Sequence, residues 1–197
     1  MKLSKEEKYL INKDNKLKKV INNNGHIVFK SSTKNQFDNL VGIVIAQFIS
    51  TSASNSIFKK IKDIFNVDYM DPIHFKELNI NQIKDLGVTL NKAKTIKELS
   101  ELFLSKNFVD FTDMDEKEMN DKLNSIFGIG PWSIAMFEIF CLGKINIFSS
   151  KDAGLRLAMN NCGMTKENSK RENYDIYAEI CETSINIALL YKSLYKK

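Results

Sequence analysis

Apolar residues recur at three- and four-residue steps along nearly the whole chain, the period of helices with one buried face. The clearest stripe is Phe37, Leu40, Val41, Val44, Ile45 and Phe48. Upstream, Ser4 and Glu7 have the spacing of a capping box before Tyr9, Leu10 and Ile11. Asp14 opens a second helix through Leu17, Val20 and Ile21, and Gly25 stops it. A further stripe carries Ala53, Ile57, Ile61, Ile64 and Phe65. Asp71-Pro72 predicts a helix start, with Asp as cap and Pro in the first turn. Asn79 and Gln82 open a short helix ending at Gly87, and Thr89 caps one that buries Ala93, Ile96, Leu99 and Phe103. Asp115 and Glu118 start a helix through Met119, Leu123, Ile126 and Phe127. After Gly128, Pro131 begins another through Trp132, Ala135, Met136, Ile139 and Phe140 to Gly143.

Residues Ile145–Phe148 have an extended pattern. A helix then runs from about Lys151 to Gly163, and the last carries Tyr174, Tyr177, Ile180, Ile187, Ala188 and Tyr191. No segment alternates convincingly with the period of a strand. The expectation is an all-α protein of about ten helices, with no internal repeat and no linker.

Composition narrows the picture. Hydrophobic residues make up 43% of 197, enough for a core, and 2 Pro with 8 Gly favour helices over a turn-rich β fold. The net charge of +5 permits an anionic partner without demanding one. Cys141, Cys162 and Cys181 have no paired spacing, so they are expected to be buried, reduced thiols, neither zinc ligands nor cluster ligands. The N-terminus lacks an apolar signal core and no apolar run reaches membrane-spanning length, so the expectation is a soluble intracellular protein without a membrane partner.

The most informative stretch is the helix-to-helix junction at Gly128-Ile129-Gly130-Pro131. Glycines there allow positive φ and close approach of backbone, and Ile129 between them can plug the turn into the core. Pro131 suits the first position of the next helix. The amides and positive dipole end of that helix form an anion site, suited to a DNA phosphate. An ordinary tight corner between helices uses the same residues.

The segment Leu123–Ala135, with Gly128, Ile129, Gly130 and Trp132, resembles the hairpin of the helix-hairpin-helix (HhH-GPD) DNA glycosylases. Phe148-Ser-Ser-Lys-Asp152-Ala-Gly-Leu-Arg156 follows at the distance of that superfamily's essential Asp segment. Leu40–Ser50 resembles its Gln-bearing helix end, and Leu86-Gly87 with Lys92-Ala93 resembles its Gly before a Lys-Ala helix. The likeness runs in order from residue 14 to 193 and is strongest from 123 to 157. Within the superfamily it is most like the 3-methyladenine DNA glycosylase II type, in a compact form without an N-terminal β-rich lobe.

What the resemblance implies is concrete. The fold would be two helical lobes with an active-site cleft between them: residues 1–35 with 145–197, and residues 36–144 with the hairpin at 123–143. Asp152 would be the catalytic carboxylate, facing the positive charge that builds on the sugar as the N-glycosidic bond breaks. On its own, Asp152 reads first as a helix cap, and one residue can do both. Trp132 and Met136 would line the base pocket. Trp132, the only Trp, occupies the position of the catalytic Lys in bifunctional relatives. It cannot form a Schiff base, but its face suits a cationic base; core packing is the plainer role for it. Gly128, Ile129, Gly130 and Trp132 would meet the DNA backbone. Gln47 and Phe48 would lie at the wedge that fills the gap left by the extruded base, although Phe48 also continues the apolar stripe of a core helix.

Three positions depart from the family pattern: Lys151 stands where an acidic neighbour is frequent, Met136 where a Tyr is frequent, and Ser193 where a final Trp is frequent. The implied activity is monofunctional excision of alkylated purines, of the 3-methyladenine and 7-methylguanine class, from double-stranded DNA by a monomer. No redox cofactor or catalytic metal is implied; the resemblance allows a monovalent cation between hairpin carbonyls and a phosphate. Two rivals stand: a glycosylase with lyase activity on other damaged bases, and a non-catalytic DNA-binding protein that uses the hairpin alone.

Overall fold

The computed structural model describes residues 3–26, 35–108, 110–144 and 147–181. Among them are eleven helices and no strand: α1 (Lys5–Lys13), α2 (Asn15–Asn24), α3 (Gln36–Ala46), α4 (Thr51–Phe65), α5 (Ile73–Lys76), α6 (Ile80–Asp85), α7 (Leu90–Leu104), α8 (Glu116–Asn124), α9 (Pro131–Phe140), α10 (Ala153–Asn161) and α11 (Arg171–Cys181). The chain forms two compact units, Ser31–Leu142 and the pair of segments Met1–Lys30 and Gly143–Lys197.

The Ser31–Leu142 unit is built round α3, which packs against α4, α7 and α9. Phe37, Leu40, Val41, Val44 and Ile45 of α3 are all buried, as the stripe predicts. Full burial of each such side chain is worth roughly 1.5–3 kcal/mol before the ordering entropy is counted. Ala93, Ile96 and Leu99 of α7 and Ile134 and Phe137 of α9 complete the same core. Phe37, Phe75, Phe103, Phe108, Phe111 and Phe137 meet mostly edge-on, with centroids 5.4–5.7 Å apart in the Phe37–Phe103, Phe37–Phe75, Phe103–Phe111 and Phe111–Phe137 pairs.

Two polar links tie the start of α3 to distant loops. Gln36 donates to the Asp110 carboxylate (2.7 Å) and accepts from Phe111 N–H (3.3 Å). Asp38 accepts from Met70 N–H at 2.8 Å and pairs with the Lys62 ammonium at 3.2 Å. Buried polar groups require such partners.

In the other unit, the capping box of Ser4 and Glu7 starts α1, and Glu7 also meets His26 Nδ1 at 2.8 Å. Asp14 caps α2, and Gly25 ends it at φ +69°. Tyr174 of α11 donates from its hydroxyl to Asn160 Oδ1 (3.0 Å), which ties α11 to the end of α10.

Some expectations need correction. The Asp71-Pro72 helix begins only at Ile73 and lasts four residues; Asp71 Oδ1 takes the Ile73 amide, and Pro72 occupies the cap position. Helix α8 stops at Asn124, so Ile126 and Phe127 belong to the turn and Phe127 is exposed. Ile64 is exposed although it sits on the α4 stripe. Cys141 is buried as expected, but Cys162 is only half-buried. The expected extended run at Ile145 and Asn146, the side chains of Ile180 and Cys181, and Ile187, Ala188, Tyr191 and Ser193 lie outside the described residues. Among the described residues no helix is long and apolar enough to cross a membrane.

Candidate functional site

The hairpin is a tight turn held from below. Ile129 is buried in the core, with its amide bonded to Ile126 O at 3.1 Å. Gly128 adopts φ +79°, and a Cβ there would meet Thr95 Oγ1 at 2.5 Å. Both facts require glycine: the left-handed backbone disfavours a side chain, and α7 leaves no room for one. Gly130 takes the cap position of α9 in extended conformation, Pro131 is the first helical residue, and Ile134 N–H makes the first bond of the helix, to Gly130 O at 3.1 Å. The first-turn amides therefore point outward from the positive end of α9, the geometry that receives an anion.

Two side chains fix this turn from other helices. Glu98 of α7 accepts the Phe127 amide at 2.8 Å. Gln47, just past α3, donates from Nε2 to Gly128 O and to Ser133 Oγ, each at 2.9 Å. Gln47, expected at the DNA, thus turns its amide toward the hairpin, where it bridges the loop and the first turn of α9.

Phe48 does not belong to the core. It is 103% exposed, the most exposed large apolar residue described, and it takes φ +59°. The apolar stripe of α3 ends with Ile45, and the chain leaves the helix at Gln47. Left-handed backbone costs an L-residue roughly 1–2 kcal/mol. An exposed aromatic in that conformation stabilises nothing in the unit, and such strain concentrates where function needs it.

On α9, Trp132 is half-buried and Met136 is buried. Asp152, in the other unit, is buried and caps α10: its Oδ1 accepts the Leu155 amide at 2.6 Å. Its own amide donates to Ser149 O (3.0 Å). Arg156, one turn on, donates from Nη1 to Ser150 O at 2.7 Å, and Ser150 Oγ bonds the Asp175 carboxylate at 3.1 Å. The carboxylate therefore sits on a loop fixed from both α10 and α11. Lys151 beside it is exposed.

The model of the HhH-GPD superfamily base excision DNA repair proteins matches residues 41–183. The chain belongs to this superfamily. An alkylbase DNA glycosidase-like protein of Schizosaccharomyces pombe is 25% identical over 156 residues, 76% of this chain and 73% of that one. A DNA-3-methyladenine glycosylase of the same yeast is 24% identical over 127 residues, 62% of this chain and 56% of that one. The solved S. pombe 3-methyladenine DNA glycosylase in complex with abasic DNA has the same fold, with TM-score 0.85 at 21% identity over 98% of this chain and 100% of that one.

Sequence reasoning missed Thr95, Glu98, Ser133 and Asp175, and it quoted Lys92 and Arg156 only as part of the resemblance, with no role for either side chain. Lys92 also left a signal in the hydrophobic pattern. It stands four residues before Ile96 and seven before Leu99, in phase with the buried stripe of α7, so a charge had to be satisfied inside. The others are polar residues whose partners are 25 or more positions away or lie on the next turn, and no local pattern marks them. Among the described residues no group of three or more His, Cys, Asp or Glu could hold a metal ion.

Proposed function

We propose that this HhH-GPD protein is a monofunctional DNA glycosylase that releases alkylated purines, of the 3-methyladenine and 7-methylguanine class, from double-stranded DNA. The observation that carries the reading is Asp152, a buried carboxylate fixed by the Leu155 amide at the start of α10 within the matched family region. The reaction is hydrolysis. The C1′–N bond breaks with its electron pair leaving on the base, water forms the new C1′–O bond, and one water proton is released. Asp152 stabilises the positive sugar and orients the water. The fixed loop keeps the carboxylate from reorganising as the charge develops. A cationic alkylpurine leaves without prior protonation, so one carboxylate suffices.

Phe48 supports the DNA side of the proposal: an exposed, strained aromatic beside the hairpin suits a wedge that occupies the space of an extruded nucleotide. Gly128, Ile129, Gly130 and Trp132 form the hairpin segment that takes a backbone phosphate, which would make affinity fall with salt. If a monovalent cation binds there, hairpin carbonyls would hold it and its charge would favour the phosphate; Gly128 O already accepts from Gln47 Nε2. Trp132 and Met136 form the base-binding side, with Trp132 facing a cationic purine. Without a Lys at position 132 no Schiff base forms there, so the product is an abasic site in an intact strand. The protein acts as a monomer where genomic DNA is kept.

The test is Asp152→Asn. Asn can still accept the Leu155 amide, so folding should persist. Loss of the charge should slow single-turnover release of 3-methyladenine by about 10²–10³-fold. A folded variant within about 3-fold of wild type, far below that electrostatic cost, would reduce Asp152 to a cap.

A further inference from the structure

We propose that Lys92 and Gln47 are positioning residues that lock the Phe48 wedge to the hairpin, so that the part gripping the backbone and the part filling the gap move as one piece. The inference rests on the reading of Phe48 and the hairpin given above.

Lys92, near the start of α7, is 9% exposed. Its Nζ donates to Ile45 O at 2.8 Å and to Gln47 O at 2.9 Å. These carbonyls lie at the C-terminal end of α3, where a helix leaves acceptors unsatisfied and its dipole is negative. They also flank Phe48 on the side where the chain turns out of the helix. Beyond that turn the helical bond pattern is poor: Ile49 N–H reaches Ala46 O only at 3.5 Å. The ammonium takes over the role of the missing amides and holds the backbone that carries the left-handed Phe48.

Gln47 extends the lock. Its carbonyl is held by Lys92, while its side-chain amide holds Gly128 O and Ser133 Oγ at 2.9 Å each. One residue thus joins the end of α3, the hairpin loop and the first turn of α9. Three hydrogen bonds meet at Gln47, the residue that precedes the wedge, and link α7 to the hairpin and to α9. Moving Phe48 relative to the hairpin strains or breaks at least one of them.

The chemistry of Lys92 supports a directed role over a packing role. Burial pushes its ammonium below the ordinary 10.5, because the charge is held out of water. An apolar side chain would fill the space without that cost. What the ammonium alone supplies is two aimed donors on the backbone beside Phe48. A preformed wedge matters because base extrusion is unfavourable until the gap is filled, and ordering the wedge beforehand removes that ordering from the reaction.

The experiment is a cycle of Lys92→Met, which keeps the stem but removes charge and donors, with Phe48→Ala. Each protein is assayed in single turnover on a 7-methylguanine duplex and on a duplex with the same base in an unpaired bulge. A fluorescent 2-aminopurine beside an abasic analogue reports wedge insertion without chemistry. Lys92→Met should slow the paired substrate about 10-fold and the bulged one under about 3-fold, and lower the probe signal. In the Phe48→Ala background the same change should matter by less than about 2-fold. Equal loss on both substrates, or a full effect without Phe48, overturns the lock. If Lys92→Met does not fold, Gln47→Ala, half-exposed and outside any helix, is put through the same cycle with the same expected pattern. A wild type that raises the probe signal but frees no base from either substrate overturns the excision reading alone.

Discussion

Gly128→Ala puts the hairpin to its sharpest test. The native φ of +79° costs an L-residue about 1–2 kcal/mol. The new Cβ would also lie 2.5 Å from Thr95 Oγ1, a distance that real contacts do not sustain. Thr95 can turn away only by giving up its bond to Asn91 O, which is 3.0 Å long, or the hairpin can shift off α7. Overpacking of this kind costs about 1–3 kcal/mol. The two costs together give a destabilisation of roughly 2–5 kcal/mol, a large share of the stability of an ordinary domain. At roughly 2–4 °C per kcal/mol for a chain of this size, the melting temperature should fall by on the order of 10 °C. Adding Thr95→Ala removes the collision but not the backbone strain. The double variant should therefore recover about 1–3 kcal/mol of the loss. Guanidinium unfolding of the wild type, both single variants and the double variant reads the cycle, and duplex affinity should follow it, because the shifted turn also loses the Gln47 bond at Gly128 O. A Gly128→Ala protein within about 0.5 kcal/mol of wild type would contradict the close approach to α7. A full-strength loss that Thr95→Ala does not relieve would place the cost elsewhere.

Three further outcomes are expected. Phe48→Gly should raise stability by up to about 1 kcal/mol, since relief of left-handed strain exceeds the added chain entropy, while duplex excision falls; an unfolding free energy from denaturant titration that drops by more than about 1 kcal/mol would mean that Phe48 packs in the native state. Trp132→Ala should slow excision of cationic alkylpurines more than of neutral lesions, by a cation–π share of about 0.5–2 kcal/mol, and equal losses in a side-by-side substrate panel would leave Trp132 a packing residue. Burial raises the Asp110 carboxyl, but hydrogen bonds from Thr112 and Gln36 outweigh it and hold the group below the ordinary 3.8. The unfolded chain then binds more protons in acid, so this contribution is present above 3.8 and is lost as pH falls through the lower folded value. Asp110→Asn should flatten that acid-side fall, and urea midpoints at about pH 5 and about pH 3 that lose equal stability in both proteins would deny Asp110 the role.

What the chain alone determined about this protein is what neighbours in sequence decide. Ser4 with Glu7, Asp14, Asn79 with Gln82, Thr89 and Asp115 each start a helix through a side chain that reaches an amide two or three residues on, so the pattern suffices. The turn at Gly128–Pro131 was legible for the same reason, and so was Asp152 as the cap of α10. Only the tertiary structure decided which in-phase residues become core. Phe48 and Ile64 keep the helical period yet are exposed, because a stripe is buried only as far as another helix covers it and only while the chain stays helical. It also decided who holds the site. Lys92 finds carbonyls 47 and 45 positions upstream, and Gln47 finds Gly128 and Ser133 at separations of 81 and 86. A hydrogen bond needs atoms within about 3 Å in the right direction, and that coincidence is set by how α3, α7 and α9 pack, which no periodicity along one chain encodes.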